Sequence, residues 1–133
     1  MKVLVLIPSY NSGPLLRPTV ESALARWSDV WVVIDGSTDG SDSSIETMLG
    51  AHSGLRLLRQ SPNQGKGAAV LCGIRQALDA GFTHVLTMDA DGQHPADRIP
   101  AFVKVAGRHP EAALLGCPQF GPEAPLLRVR GRK

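Results

Sequence analysis

The chain contains 133 residues, of which 43% are hydrophobic, and its formal net charge is +2. This length corresponds to one domain, and the apolar content is sufficient for a buried core. The small net charge gives no argument for nucleic-acid binding, and no apolar run reaches the ~20 residues that a membrane span requires. The first apolar run is too short for a signal peptide. Cys72 and Cys117 form neither a zinc pattern nor a disulfide framework, which predicts reduced thiols in a cytoplasmic protein.

Five apolar runs predict buried strands, which alternate with helical patterns. They lie at residues 3–7, 30–34, 55–58, 84–88 and 112–116. Continuous apolar runs of this kind suit strands that are buried on both faces of a parallel sheet. Strands that alternate with helices imply right-handed crossovers, so the expected fold class is α/β with a mostly parallel sheet.

Four amphipathic helices are expected in the same stretch. Their inward positions are predicted at Leu16, Val20, Leu24 and Trp27, then Ile45, Met48 and Leu49, then Val70, Ile74, Ala77 and Leu78, and finally Ile99, Phe102, Val103 and Ala106. Ser41 or Asp42 can cap the second helix. Gly81 stands where a helix C-terminal glycine belongs, and the fourth helix should stop near residues 109–110.

Polar or aromatic residues follow three of the predicted strands. Tyr10 comes after the first strand, Asp35 ends the second, and Asp89 and Asp91 follow the fourth. The C-terminal ends of parallel strands share one edge of a sheet, and open α/β sheets bind ligands at that edge. The spacing therefore predicts that these residues meet in one cleft.

Asp89 and Asp91 form a D-x-D pair directly after a strand. Two carboxylates so close repel each other unless a cation lies beside them. Oxygen-only ligands favour Mg²⁺ or Mn²⁺, and Mg²⁺ usually keeps substrate phosphates among its other ligands. A solvated Asp-Gly turn accounts for the same residues without a ligand. His94 is beside the pair and is either a metal ligand, a proton carrier or a bystander.

Gly65, Lys66 and Gly67 precede the third helix and can hold an anion with backbone N–H groups and the lysine ammonium. The segment is not a Walker A loop, because Gly67 follows the lysine where Ser or Thr is required. A flexible loop with a helix cap explains the same three residues. Asp35 can accept hydrogen bonds from a base or ribose or form only a turn, and Tyr10 can stack on a base or pack against the first helix.

Four segments occur in a characteristic order, at residues 6–11, 33–41, 63–70 and 88–95. Together they resemble family 2 glycosyltransferases of the GT-A fold, and most closely the dolichyl-phosphate mannosyltransferase-like branch. The resemblance implies a Rossmann-like, mostly parallel sheet with helices on both faces. It also implies a nucleotide-sugar-binding core over residues 1–116, followed by a basic tail over residues 117–133 that leads toward an acceptor-binding half.

The resemblance assigns roles to individual positions. Residues that match the family's nucleotide contacts are Pro8, Tyr10, Val33 (through its backbone), Asp35, Asp89 and Ala90. Asp91 matches the residue that binds a divalent metal on the diphosphate, and Gln93 can assist it. Three positions depart from the family pattern: Ser12 and Ile34 replace acids that many relatives carry, and Cys117 stands where relatives often have an arginine facing the diphosphate.

The resemblance therefore implies an inverting glycosyltransferase that uses a UDP- or GDP-sugar with Mg²⁺ or Mn²⁺. Its acceptor would be lipid-linked or a polysaccharide. No catalytic base is assigned within the chain, and we expect that base in a part of the enzyme beyond Lys133. We expect the chain to be truncated after its donor-binding half, and to be cytoplasmic or peripheral on the cytoplasmic face of a membrane.

Two features of the expected chain bear on its partners. The basic tail can meet an anionic surface, and an uncovered sheet edge can favour self-association. The alternatives to an active glycosyltransferase are a catalytically silent nucleotide-sugar-binding module that acts with a partner chain, and a structural α/β domain with incidental acids.

Overall fold

Strands and helices alternate along the part of the chain that the computed structural model describes, residues 1–92 and 95–112. The strands are β1 (Val3–Ser9), β2 (Val30–Asp35), β3 (Leu55–Gln60) and β4 (His84–Thr87). The helices are α1 (Leu16–Leu24), α2 (Ser41–Glu46), α3 (Lys66–Asp79) and α4 (Ile99–Arg108). Short 3₁₀ turns at Gly13–Leu15, Leu49–Ala51 and Ala96–Arg98 adjoin α1, α2 and α4. Within the described ranges, the predicted order of elements is confirmed.

The four strands form one sheet in the order β3-β2-β1-β4, and every neighbouring pair is parallel. Strands β2 and β3 follow β1 on one side of it, and β4 is then added on the other side of β1. Between β1 and β4 the direction of winding reverses, which is the position where doubly wound sheets bind ligands. The sheet confirms the predicted α/β class with GT-A-like topology.

Two layers of helices cover the two faces of the sheet. On one face α1, α2 and α4 contribute Leu16, Val20, Ile45 and Ile99 to a core with Val5, Ile7, Val30 and Val32. On the other face α3 contributes Ala69 and Ala77 to a second core with Leu4, Leu6, Trp31 and Val33. The strands are apolar on both sides because both faces are covered, so helices lie on both faces as expected.

The inward face of α3 agrees with the prediction at Ala77 and Val70, which contact the core, and differs from it at Ile74 and Leu78. Ala69 and Ala77 are buried against the sheet, whereas Ile74 and Leu78 are 39% and 71% exposed. The physical reason is the close approach of the helix to β1. A Cβ atom at Gly73 would lie 2.6 Å from the Leu6 methyl carbons, so small residues face the sheet and the large apolar side chains point outward.

The helix ends agree with the sequence except at α2. Gly81 has a φ of +90° just after α3, and α4 ends at Arg108, both as predicted. The predicted cap of α2 at Ser41 or Asp42 is wrong. Gly40 occupies the N-cap position with a φ of +76°, and the Asp39 carboxylate accepts the Ser41 N–H at 3.0 Å. The reason is that the turn reaches the helix through a left-handed residue, which leaves Asp39 nearest to the first free N–H groups.

Several predictions fall at the limits of the described ranges. Apart from Ala112, the predicted strand over residues 112–116 lies outside them, as do Cys117 and the whole basic tail up to Lys133. The expectation of a catalytic base beyond Lys133 therefore stays a prediction, as does the division of the chain at residue 116.

His84, at the start of β4, contacts the chain that follows α4, since its Nε2 lies 2.9 Å from the carbonyl oxygen of Pro110. Among residues 1–92 and 95–112, no helix has the length and apolar character needed to cross a membrane.

Candidate functional site

The predicted site residues meet at one edge of the sheet. Tyr10 follows β1 and is 55% exposed, whereas Asp35 ends β2 and is 2% exposed. Asp89 and Asp91 follow β4, which lies directly beside β1, and Asp91 is exposed. The parallel strands thus bring the aromatic ring and the carboxylates to the edge where the winding reverses, as the sequence predicts.

Two of the predicted nucleotide contacts lie inside the sheet. Pro8 and Val33 are opposite each other in the β1–β2 register. Both are buried, and the Val33 side chain packs in the core with α3. A ligand at the edge could therefore meet these two positions through their backbone rather than through their side chains.

The Asp35 carboxylate accepts hydrogen bonds from three donors, at the end of β3 and in the segment that leads into α3. Its Oδ1 accepts the Gln64 N–H and the Gln60 Nε2–H, both at 2.8 Å, and its Oδ2 accepts the Gly65 N–H at 2.9 Å. A buried carboxylate requires such partners, since an unpaired buried charge is costly. In this conformation Asp35 fixes the start of α3, and its predicted contact with a nucleoside stays a prediction.

Gly36 permits the close contact between this loop and the end of β2. Its φ is +69°, and a Cβ atom there would lie 2.4 Å from the backbone nitrogen of Asn63. Asn63 also donates through Nδ2 to the carbonyl oxygen of Asp35 at 3.0 Å. Any side chain at position 36 would push the two segments apart, because it would collide with the backbone of Asn63, which cannot rotate away as a side chain could.

Lys66, the first residue of α3, forms an ion pair with Asp89. The Lys66 side chain is 64% exposed and that of Asp89 is 22% exposed. The pair joins the glycine-rich segment to the D-x-D segment, which lie 23 positions apart in the sequence. The structure therefore brings together two motifs that sequence analysis treats separately.

Ala90 is oriented toward the core rather than the cleft. It is 6% exposed and belongs to the core formed with α1. Its carbonyl oxygen accepts the Thr19 hydroxyl at 3.1 Å, which ties the D-x-D segment to α1. A ligand contact from Ala90 would therefore come from its backbone rather than from its side chain. Sequence reasoning missed Thr19, because a threonine inside a helix carries no signal of such a distant partner.

An open groove of about 250 Å³ lies beside Asp91. Its walls come from α1 and from the segment after β4, and they include Leu15, Pro18, Thr19, Asp91 and Pro95. Gly92 has a φ of +76°, which turns the chain directly after Asp91. Gln93, the predicted assistant of Asp91, and His94 lie outside the described residues.

The loops after β1 and β2 are joined by polar contacts that the sequence did not predict. The Asn11 N–H donates to Ser37 Oγ at 3.0 Å, and Asn11 Oδ1 accepts the Thr38 N–H at 2.8 Å. Asn11 has a φ of +46°, a conformation that asparagine tolerates better than most residues. Asp39 Oδ2 accepts the Gly13 N–H at 2.8 Å. These contacts fix the loop that carries Tyr10.

The pKa of Asp39 is lowered from its ordinary value. Contacts with Ser41, first its hydroxyl and then its backbone N–H, lower the pKa of Asp39, and the Gly13 N–H adds to the effect. The Ser41 hydroxyl oxygen is buried and has no hydrogen bond of ordinary geometry within residues 1–92 and 95–112. The Ser41 N–H contact at 3.0 Å is therefore the firmer cause.

The carboxylates of Asp89 and Asp91 are hard oxygen donors that suit Mg²⁺ or Mn²⁺. Within residues 1–92 and 95–112, no cluster of three or more His, Cys, Asp or Glu side chains is placed to hold a metal ion. The donor set fits a metal that takes the rest of its ligands from a bound diphosphate and water.

Comparison with protein families gives a match over almost the whole chain. The model of glycosyl transferase family 2 matches residues 4–132. An undecaprenyl-phosphate mannosyltransferase of Micrococcus luteus is 34% identical over 107 residues, covering 78% of this chain and 44% of that protein. A polyprenol monophosphomannose synthase of Mycolicibacterium smegmatis is 32% identical over 102 residues, covering 74% and 38% respectively. The chain thus spans less than half the length of these curated relatives.

Solved structures show the same fold. A mannosyltransferase from Pyrobaculum calidifontis, in complex with GDP-Man and Mn²⁺, superposes with a TM-score of 0.60 at 28% identity, covering 68% of this chain and 27% of that one. TarS of S. aureus gives a TM-score of 0.67 at 23% identity over 90% of this chain and 39% of that one, which supports the fold alone. A TarS structure in complex with UDP gives 0.60 at 25% identity over 80% of this chain and 33% of that one. On the family match and the shared fold, this chain belongs to glycosyl transferase family 2.

Proposed function

We propose that this chain binds a nucleoside diphosphate sugar together with a divalent metal, as the donor-binding part of a glycosyltransferase. The observation that carries the proposal is the meeting of Tyr10, Lys66, Asp89 and Asp91 at the sheet edge where the winding reverses. An exposed ring, an ammonium group and two carboxylates suit a base, a diphosphate and a metal ion, respectively. The relatives' complexes with GDP-Man and Mn²⁺ and with UDP support this combination.

Each residue has a chemical task in this proposal. Tyr10 is exposed and can stack on the base, while Lys66 can pair with a phosphate. Asp91, assisted by Gln93, would hold Mg²⁺ or Mn²⁺, and Asp89 would contact the nucleotide. When bound, the metal would offset the negative charge that develops on the leaving nucleoside diphosphate.

The proposed reaction is transfer of the sugar with inversion. An acceptor oxygen would attack the anomeric carbon from the face opposite the diphosphate while the bond to the diphosphate breaks. The names of the relatives, which include an undecaprenyl-phosphate mannosyltransferase and a polyprenol monophosphomannose synthase, favour a lipid phosphate as the acceptor. A polysaccharide acceptor remains part of the proposal, as does a location at the cytoplasmic face of a membrane.

Calorimetric titration of the 133-residue chain with UDP and with GDP tests the donor site. We expect one nucleotide to bind in the presence of Mn²⁺, and EDTA to abolish that binding. Asp91→Ala should weaken Mn²⁺-dependent binding by about tenfold or more, since it removes a charged metal ligand, and tenfold corresponds to about 1.4 kcal/mol. Asp79→Ala, which removes an exposed acid at the end of α3, should leave the affinity unchanged.

Two results would contradict the proposal. The first is a folded chain that binds neither nucleotide with Mn²⁺. The second is equal loss of affinity in the Asp91 and Asp79 variants, which would indicate a general charge effect. If a nucleotide binds but no sugar is transferred to a polyprenyl phosphate in vesicles, the chain would act as a silent nucleotide-sugar-binding module.

A further inference from the structure

The ion pair between Lys66 and Asp89 occupies the position where the proposed function needs a metal and a diphosphate. Asp89 is one of the two D-x-D carboxylates, and its side chain is 22% exposed, so that its pairing with Lys66 lies at the border of the cleft. The Lys66 side chain is 64% exposed and has room to move away. The contact is therefore reversible, at small cost, when another cation or anion arrives.

The backbone that carries Lys66 is fixed, although its side chain is exposed. The two residues before it donate their N–H groups to the buried Asp35 carboxylate, Gln64 at 2.8 Å and Gly65 at 2.9 Å. Gly65 has a φ of +97°, which glycine adopts without strain. The buried carboxylate thus holds the start of α3, and from this fixed point the flexible lysine stem reaches Asp89.

The charges around the D-x-D pair indicate a role for the contact between Lys66 and Asp89. Two neighbouring carboxylates repel each other, and the Lys66 ammonium offsets one negative charge at Asp89. A divalent metal that enters alone at Asp91 meets the repulsion of this ammonium two positions away. In the described part of the chain it also finds no cluster of three acidic, His or Cys ligands. A metal that enters with a diphosphate brings additional oxygen ligands and gives Lys66 a new anionic partner.

We propose that Lys66 is a built-in counter-cation of Asp89, which the metal and the diphosphate displace together. In the free protein its ammonium neutralises Asp89. In the loaded site Asp91 would hold the metal, Asp89 would contact the nucleotide, and the ammonium would move to a phosphate. The consequence is coupled binding: the metal binds weakly without nucleotide, and each ligand strengthens the other. This inference rests on the proposed donor site.

Mn²⁺ binding by the 133-residue chain without nucleotide tests the inference directly, with the free Mn²⁺ signal in electron paramagnetic resonance as the readout. Lys66→Gln should bind Mn²⁺ roughly two- to fivefold more tightly than the wild type, the range that corresponds to loss of one exposed ion pair. Lys66→Arg keeps the positive charge and should bind Mn²⁺ like the wild type. Lys104→Gln, on the exposed side of α4, controls for the change in net charge.

A second arm measures nucleotide binding in the presence of Mn²⁺. Lys66→Gln should weaken it and thereby lower the factor by which the nucleotide and Mn²⁺ strengthen each other. The inference is overturned if Lys66→Gln and the wild type bind Mn²⁺ alone with equal affinity, or if Lys104→Gln shows the same gain. Absence of nucleotide binding by the wild type would instead overturn the proposed function, so that the two failures can be told apart. Circular dichroism of each variant establishes that it is folded.

Discussion

At the scale of single residues, Asp35 shows how one buried carboxylate organises the site. It is 2% exposed, and its two oxygens accept hydrogen bonds from three donors, at the end of β3 and in the segment that leads into α3. Sequence reasoning recognised Asp35 as an acid at a strand end but assigned it only to a ligand or a turn. The partners lie 25 to 30 positions away along the chain, so that only the folded structure reveals them.

Replacement of Asp35 should therefore destabilise the fold as well as the site. Asp35→Asn replaces one carboxylate oxygen with an NH₂ group that faces an N–H donor, so that at least one part-buried donor loses its acceptor. We expect a loss of about 1–3 kcal/mol in the free energy of unfolding, the usual cost of an unsatisfied buried polar group. Urea denaturation followed by circular dichroism measures it. Asp79→Asn, at an exposed position, should change stability by less than about 0.5 kcal/mol, and equal effects in both variants would disprove the argument.

At the scale of secondary-structure elements, the packing of α3 is the clearest correction to the sequence analysis. The hydrophobic pattern predicted Ile74 and Leu78 on the inward face, but both are exposed. The helix lies so close to β1 that the inward positions are Ala69, Gly73 and Ala77. Periodicity identifies an apolar stripe, but it does not measure the distance between a helix and a sheet, and that distance decides whether large or small side chains fit.

This packing predicts opposite sensitivities at neighbouring positions of α3. Ala77, which is 1% exposed, has no room for a larger side chain. Ala77→Leu should therefore lower the free energy of unfolding by about 1–3 kcal/mol through overpacking. Leu78, which is 71% exposed, should tolerate Leu78→Lys with a change below about 0.5 kcal/mol. Chemical denaturation measures the stability of both variants, and the opposite ranking would contradict the packing of α3 against the sheet.

At the scale of the whole molecule, hydrogen bonds between the loops that carry the site contribute to the stability of the fold. Asp39 accepts N–H groups from Gly13 and Ser41, and it thereby joins the loop after β1 to the start of α2. The same contacts lower its pKa. The carboxylate must be ionised to accept both bonds well, so the connection between the two loops depends on pH.

The sign of this dependence follows from the lowered pKa. Because folded Asp39 resists protonation, its contribution to stability is fully present above the pKa of the unfolded chain and is lost as the pH falls through the folded value. We expect the stability difference between the wild type and Asp39→Asn to shrink as the pH is lowered from about 5 to about 3. Urea denaturation at several pH values measures this difference, and parallel pH profiles for the two proteins would contradict it.

The sequence by itself determined the α/β class, the strand order along the chain, the family, and the edge at which Tyr10, Asp35, Asp89 and Asp91 gather. The fold class, the strand order and the shared edge follow from local periodicity and from the rule that parallel strands share their C-terminal edge, whereas the family follows from the resemblance of four sequence segments. Only the tertiary structure decided which face of α3 is buried, that Asp35 holds the start of that helix, and that Lys66 pairs with Asp89. The physical reason is that these contacts join distant segments, and their geometry depends on how closely the helices pack against the sheet.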